Sequence, residues 1–262
     1  MIDFDKILNE AEDNVKHTEV DKLIVTDIGR QERWLAKRSG RITASTLPDL
    51  MKQGRGKGVL WGETAKKVLY PVKYERRTGL TRESKDYIKN FIFGHENEIK
   101  AIEWLKKNGH EIKSCSDDFD EIVFFTPFDG FGDSSDFLTD DGVGVGEIKC
   151  TVDQGKFEEL RDLKTIHDGS EYYWQFLGHF IGFPEAKYLM YVIYDTFSDD
   201  AVIITMDRID HEANIAKLTD RIKTASWFID ECLAGNSTIA EINEYTEDRE
   251  YEGRVTVISI EK

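Results

Sequence analysis

Between Ser134 and Cys150 the chain reads SSDFLTDDGVGVGEIKC, and this run dictates a hairpin. The stretches SDFL and GVGEIKC have strand composition and flank the Asp/Gly turn TDDG, while EIVFFTPF (Glu121 to Phe128) supplies a further strand before them, so the segment reads as an antiparallel meander. Pairing two such strands sets Asp136 beside Glu147, and the alternation of side chains puts Glu147 and Lys149 on one face. Ile148 points to the other face, into the core, while its carbonyl can reach a metal ion held by the carboxylates. Two carboxylates at this spacing suit a hard cation such as Mg²⁺, which binds oxygen ligands and keeps several waters. The amine of Lys149 can orient or help deprotonate a water and can stabilise charge on a phosphoryl transition state. Taken alone, a D…E-x-K pattern also fits a solvated hairpin in an acidic protein.

The elements around the hairpin follow from periodicity. Gln31 to Ala36 reads as helical, and RITASTLPDLM offers Thr43 or Ser45 as a cap before Leu47 and Leu50. NEIKAIEWLKKN (Asn97 to Asn108) puts Ile99, Ile102 and Leu105 on one helical face and stops at Gly109. Helices are predicted over Asp153 to Ile166 and Tyr172 to Phe183, then strands KYLMYVIYD and AVIITMD, then a long amphipathic helix from about His211 to Leu233. The fold class is therefore α/β (α+β), a central mixed sheet flanked by helices. An acidic extension, 1–27, precedes one folded domain, 28–235, and a tail, 236–262, includes the strand-like RVTVISI.

Composition narrows the function classes. No apolar run reaches the roughly 20 residues that span a bilayer, and the acidic start MIDFDKILNEAEDN is unlike a signal peptide, which predicts a cytosolic protein. Cys115, Cys150 and Cys232 lie far apart with no CxxC pair, against a zinc ribbon or disulfide framework. His95, His110 and His179 lack metal-ligand spacing and read as core-edge or surface residues. GVGVG precedes a strand rather than opening a helix, against a dinucleotide site, and DSSDFLTDDG lacks the spacing of an EF-hand. The net charge of -16 is unfavourable for a nucleic-acid enzyme, but its distribution is uneven. Residues 28–90 hold 16 basic and 6 acidic side chains, a net +10, which leaves -26 for the rest. That segment reads as a DNA-facing rim, or as a solvated helical surface.

The strings KRSGRITAS (Lys37 to Ser45), GHENE (Gly94 to Glu98), SSDFL, EIKC and YYWQ (Tyr172 to Gln175) occur in an order and spacing that resembles the lambda exonuclease/YqaJ viral recombinase family of PD-(D/E)XK nucleases, over roughly Gln31 to Tyr194. The resemblance implies that Asp136, Glu147 and the Ile148 carbonyl ligate Mg²⁺, with Mn²⁺ able to substitute, that Lys149 is the catalytic lysine, and that Glu98 lines a second metal position. Tyr172 and Gln175 would lie against the site, with Gln175 holding the lysine or water. Arg38 and Ser45, joined by Ser134, would capture a DNA 5′-phosphate. Two departures stand out. The family's Pro and Gly around the aspartate are Ser135 and Phe137 here, which makes Asp133 a rival ligand. Asp136 is preferred because Phe137-Leu138 continue its strand, whereas Asp133 follows Phe131-Gly132 in a turn. Lys156 stands in only loosely for a family arginine, since it lacks the planar fork.

The function so implied is a processive 5′→3′ exonuclease on double-stranded DNA ends, working as a homotrimer with a single-strand annealing protein in recombination. The alternatives are a PD-(D/E)XK endonuclease or repair nuclease without 5′-phosphate dependence, and a DNA-binding module without catalysis.

Overall fold

The computed structural model describes residues 19–55, 61–80, 85–163 and 165–243, with 19–28 and 85–95 as backbone only. The acidic start up to residue 18 and the expected RVTVISI strand lie outside these residues, as do Lys57 and Arg82 of the basic segment.

Helix α1 (Glu19–Arg38) leads into the two-residue strand β1 (Ile42–Thr43), a 3-10 turn at Ala44–Thr46 and the short helix α2 (Leu47–Met51). Thr43 and Thr46 form a capping box over that turn, and the N-cap of α2 itself is Thr46, in place of the predicted Thr43 or Ser45. Helices α3 (Glu63–Thr78) and α4 (Lys85–Lys107) follow, then strands β2 (Ile112–Ser114), β3 (Phe131–Gly132), β4 (Phe137–Thr139) and β5 (Gly144–Thr151). After α5 (Gln154–Asp162) and α6 (Tyr173–Gly182) come β6 (Tyr188–Asp195), β7 (Asp200–Asp207) and α7 (Glu212–Leu233).

The main sheet runs β2-β4-β5-β6-β7, antiparallel except where β5 and β6 pair in parallel. This is the expected mixed sheet flanked by helices. The parallel pair forms because α5 and α6 provide a crossover long enough to return the chain in the same direction. One face carries Val145, Leu189, Tyr191 and Ile193 against α6, α7 and α3; the other carries Phe137, Ile148, Val192 and Tyr194 against Ala101, Ile102 and Leu105 of α4. Ile148 thus faces the core under α4, while Glu147 and Lys149 take the opposite face. A short 3-10 turn at Ile239–Glu241 adds Ile239 and Ile242 to the first cluster, and Asn243 bonds both backbone polar groups of Trp61.

Three expectations need correction. The stretch Glu121 to Phe128 is not a strand; it keeps a single bridge, Phe125 to Asp133, and a backbone bond from the Val123 N–H to the Cys115 carbonyl, and side chains hold it and the residues just before it. Arg30 bonds the carbonyls of Ser116 and Phe119, Arg33 pairs with Glu121, and the Ser134 hydroxyl donates to the Val123 carbonyl. Consequently part of the basic segment is internal stapling rather than a DNA-facing rim: besides Arg30 and Arg33, Arg76 donates to the Gly40 carbonyl, Ser226 and Asp230. The third concerns Phe131-Gly132, which form β3, parallel to β1, instead of a turn. Within the hairpin, Gly146 admits the Phe137 ring, since a Cβ there would lie 1.9 Å from ring carbons.

Candidate active site

The edge between β4 and β5 positions the charged core. Asp136 sits one residue before β4, its N–H donates to the Gly146 carbonyl, and its Oδ2 accepts from the Ile148 N–H at 2.6 Å. On the neighbouring strand β5, Glu147 is buried beneath α6. Its Oε1 accepts from Lys149 Nζ and from Gln175 Nε2, both at 2.6 Å. Gln175 therefore grips the glutamate, in place of the lysine or water expected for it. Lys149 Nζ also lies 4.8 Å from the centre of the Tyr172 ring, a cation–π distance.

On its other side Glu147 meets a residue that the sequence reading placed at the core edge or surface. His179 is fully buried, with Nε2 3.0 Å from Glu147 Oε2 and Nδ1 2.9 Å from Asp133 Oδ1. The Nε2 approach is short in distance but off-axis for a straight hydrogen bond. Asp133, the rival ligand, is fully buried as well and uses Oδ1 on His179. The clue was available: α6 is apolar around most of its surface, and a lone ionisable residue in such a helix needs a buried partner. His179 also stands four residues after Gln175, on the same helical face.

The electrostatics follow from this crowding. Burial, then repulsion from Glu147, pushes the Asp136 carboxyl up to about 8. Glu98 is also raised well above the usual carboxylate range, by burial first and then by Asp136 and Glu147. For Glu147 itself burial is opposed and outweighed by Lys149 and His179, which hold it down at about 2. Burial disfavours the charged form of His179, but the flanking carboxylates of Asp133 and Glu147 raise it to about 10. Lys149 is likewise raised, Glu147 overcoming its desolvation, so it stands as an ammonium. Buried Cys115 and half-buried Cys150 are free thiols with raised pKa, the latter up to about 12.

All ten residues named from the sequence line one cavity of about 710 Å³: Asp136, Glu147, Ile148, Lys149, Gln175, Glu98, Tyr172, Arg38, Ser45 and Ser134. Arg38 lies with its guanidinium 5.2 Å from the Trp34 ring, and Ser45 Oγ is 3.3 Å from Thr43 Oγ1. Asp133, the rival ligand, lines this space too, as do Trp34, Thr43 and Phe124, which the sequence did not single out as site residues. Lys156 is outside it and pairs with Glu159 on the surface.

Among the described residues no three His, Cys, Asp or Glu side chains form a ready-made metal cage. A Mg²⁺ site needs less than that, because the ion binds through one or two carboxylates and retains waters. The donor set fits such an ion. Four carboxylates, Glu98, Asp133, Asp136 and Glu147, face two cationic groups, Lys149 and His179, and the burial and mutual repulsion that together raise Glu98 and Asp136 are what a divalent cation would offset.

No family model matches the chain, and no curated protein matches it either. Solved structures do share its fold. An alkaline exonuclease (LHK-Exo) from Laribacter hongkongensis is 19% identical and superposes with a TM-score of 0.56 over 79% of this chain and 100% of that one. The same enzyme in complex with dAMP gives 0.55 over the same shares. A phage related exonuclease from Haemophilus somnus 129PT is 14% identical, with a TM-score of 0.54 over 75% of this chain and 96% of its own. At such identities the likeness establishes the fold, and the resemblance carried by the five sequence blocks holds at that level. No helix among the described residues is long and apolar enough to cross a membrane.

Proposed function

We propose that this chain is a metal-dependent exonuclease that digests double-stranded DNA from 5′-phosphorylated ends. The observation that carries the reading is the convergence, in one cavity, of an Asp136-Glu147-Lys149 core with Arg38, Ser45 and Ser134, drawn from segments nearly a hundred residues apart. A nuclease core without a phosphate anchor would suit cutting anywhere along a duplex; the two together suit action at an end.

Asp136, Glu147 and the Ile148 carbonyl would hold the ion, with Glu98 toward a second position, and bound Mg²⁺, or Mn²⁺ in its place, supplies an electrophile for the phosphate and a more acidic water. The remaining work falls to the chain's own groups. Lys149, an ammonium braced by Glu147 and the Tyr172 ring, donates hydrogen bonds to the attacking water or to the oxygens on which charge accumulates, rather than removing a proton itself. Gln175 keeps the Glu147 carboxylate in register with that ammonium. Arg38 offers a two-pronged guanidinium to the terminal phosphate, and the Ser45 hydroxyl adds a neutral donor. The Trp34 ring beneath Arg38 restricts where that fork can point. Such an enzyme leaves a 3′ single strand, the substrate of a single-strand annealing protein in recombination, and a homotrimer would let it stay on its duplex.

Digestion of linear duplex carrying 5′-phosphate or 5′-hydroxyl ends, and of closed circles, with Mg²⁺ supplied or chelated, tests this reading. Fast Mg²⁺-dependent loss of the 5′-phosphorylated linear form with circles intact is expected. Equal digestion of circles would replace the exonuclease with an endonuclease.

A further inference from the structure

The buried pair Asp133–His179 behind Glu147 has no place in the function described so far. Helix α6 buries Tyr173, Phe176, Leu177, Phe180 and Ile181, and an imidazole among them is unfavourable unless it is paired. Here it is paired twice: Nδ1 shares a hydrogen bond with Asp133 Oδ1 at 2.9 Å, and Nε2 makes an ion-pair contact, off-axis for a straight hydrogen bond, 3.0 Å from Glu147 Oε2. The backbone is shaped for this arrangement. A Cβ at Gly182 would come within 2.4 Å of Asp133 Cβ and Oδ2, so only glycine lets the helix settle against that carboxylate. Glu147 is thereby contacted at both oxygens. Lys149 and Gln175 reach Oε1 and line the cavity; His179 reaches Oε2 and does not line it. It therefore cannot touch DNA.

We infer that His179, backed by Asp133, is the positioning residue that fixes the orientation of the Glu147 carboxylate for the metal ion. The inference rests on the metal-site reading above. Lysine and glutamine alone grip a single oxygen, about which the carboxylate can still pivot; a buried third contact on the other oxygen removes that freedom. Groups that orient metal ligands in this way are typically worth about 10–100-fold in metal affinity or activity.

The test is calorimetric titration of the full chain with Mn²⁺, accompanied by thermal melts and by kcat and KM on linear duplex. His179→Leu keeps the bulk and removes both donors, and should weaken Mn²⁺ binding by about 10–100-fold and lower kcat, with KM for DNA unchanged because His179 does not line the cavity. His179→Gln retains an amide donor for Glu147 and should recover most of the Mn²⁺ affinity even if its melting temperature stays low, a rescue that a purely structural role does not give. Asp133→Asn should weaken binding less than His179→Leu does. A folded His179→Leu that binds Mn²⁺ like the parent overturns the inference, as does a His179→Gln no better than the leucine variant. Should the leucine variant fail to fold, parental Mn²⁺ affinity in Asp133→Asn is the overturning result. If the parent itself binds no Mn²⁺, the metal-site reading falls, and this inference with it.

Discussion

Replacing Lys149 with methionine should separate metal binding from catalysis, in opposite directions. In the structure Lys149 Nζ shares Glu147 Oε1 with Gln175 at 2.6 Å, so it competes with any cation for that oxygen. Methionine retains most of the stem's packing, removes the positive charge and leaves Gln175 and His179 to hold the glutamate. Two unit charges about 4 Å apart interact by about 4 kcal/mol at an effective dielectric constant of about 20, and a divalent ion would feel more. The side chain is 31% exposed, however, and water screens a group so placed, which reduces the net relief to about 1–2 kcal/mol, or roughly tenfold in affinity. Lys149→Met should therefore bind Mn²⁺ about tenfold more tightly by titration calorimetry while losing at least about a hundredfold in cleavage, the usual scale for deleting a donor that acts in the transition state. Weaker Mn²⁺ binding in a folded Lys149→Met would show that the ammonium organises the ligands rather than competing for them. Retained cleavage would remove Lys149 from the chemistry.

Further outcomes follow from the same geometry. Asp136→Asn should abolish both Mn²⁺ binding and cleavage, whereas Asp133→Asn should retain measurable binding; the reverse order by calorimetry would move the ligand to Asp133. Arg38→Ala should lose one charged hydrogen-bond contact worth about 1.5–3 kcal/mol and so digest 5′-phosphorylated and 5′-hydroxyl duplexes at similar rates, about 10–100-fold below the parent on phosphorylated ends; undiminished preference for the phosphorylated end would exclude Arg38 as the anchor. Saturating Mg²⁺ at about 100 times its Kd should stabilise the protein by about 2.7 kcal/mol, visible as a higher melting temperature that EDTA reverses, and the shift should vanish in Asp136→Asn. Arg33→Ala, which breaks an exposed pair with Glu121, should leave the melting temperature close to that of the parent, because water screens such a pair, and leave the salt dependence of DNA binding unaltered; a shallower salt slope would return Arg33 to the DNA-facing surface.

The sequence was informative where chemistry and local periodicity coincide. The hairpin around Asp136 and Glu147 could be read because a two-residue period assigns faces without knowledge of the partner helix, and Ile148 duly faces α4 while Glu147 and Lys149 face α6. Elements held by distant side chains could not be read in this way. Glu121 to Phe128 has strand composition, yet beyond its bridge to Asp133 it is held by Arg33 on the Glu121 carboxylate and Ser134 on the Val123 carbonyl, with Arg30 on the Phe119 carbonyl just before it, and no local pattern reports a bond made by an arginine some ninety positions away. β2 and β3, of three and two residues, are too short for a period to show. His179 was misplaced because a helical reading counts it among ordinary residues of an apolar stretch, while Asp133, the partner that explains its burial, is 46 positions earlier. Charge counting failed partially for a related reason: Arg30, Arg33 and Arg76 add to a basic segment but do not line the cavity, whereas Arg38, with the same formal charge, does.

The central claim, metal-dependent attack from a 5′-phosphorylated end, is tested most directly by a time course on linear duplex labelled at either the 5′ or the 3′ terminus. With Mg²⁺, the 5′ label should be released first as mononucleotide, the 3′ label should persist in long single strands, and EDTA should stop both. Early release of the 3′ label, or equal release with EDTA present, would contradict the account.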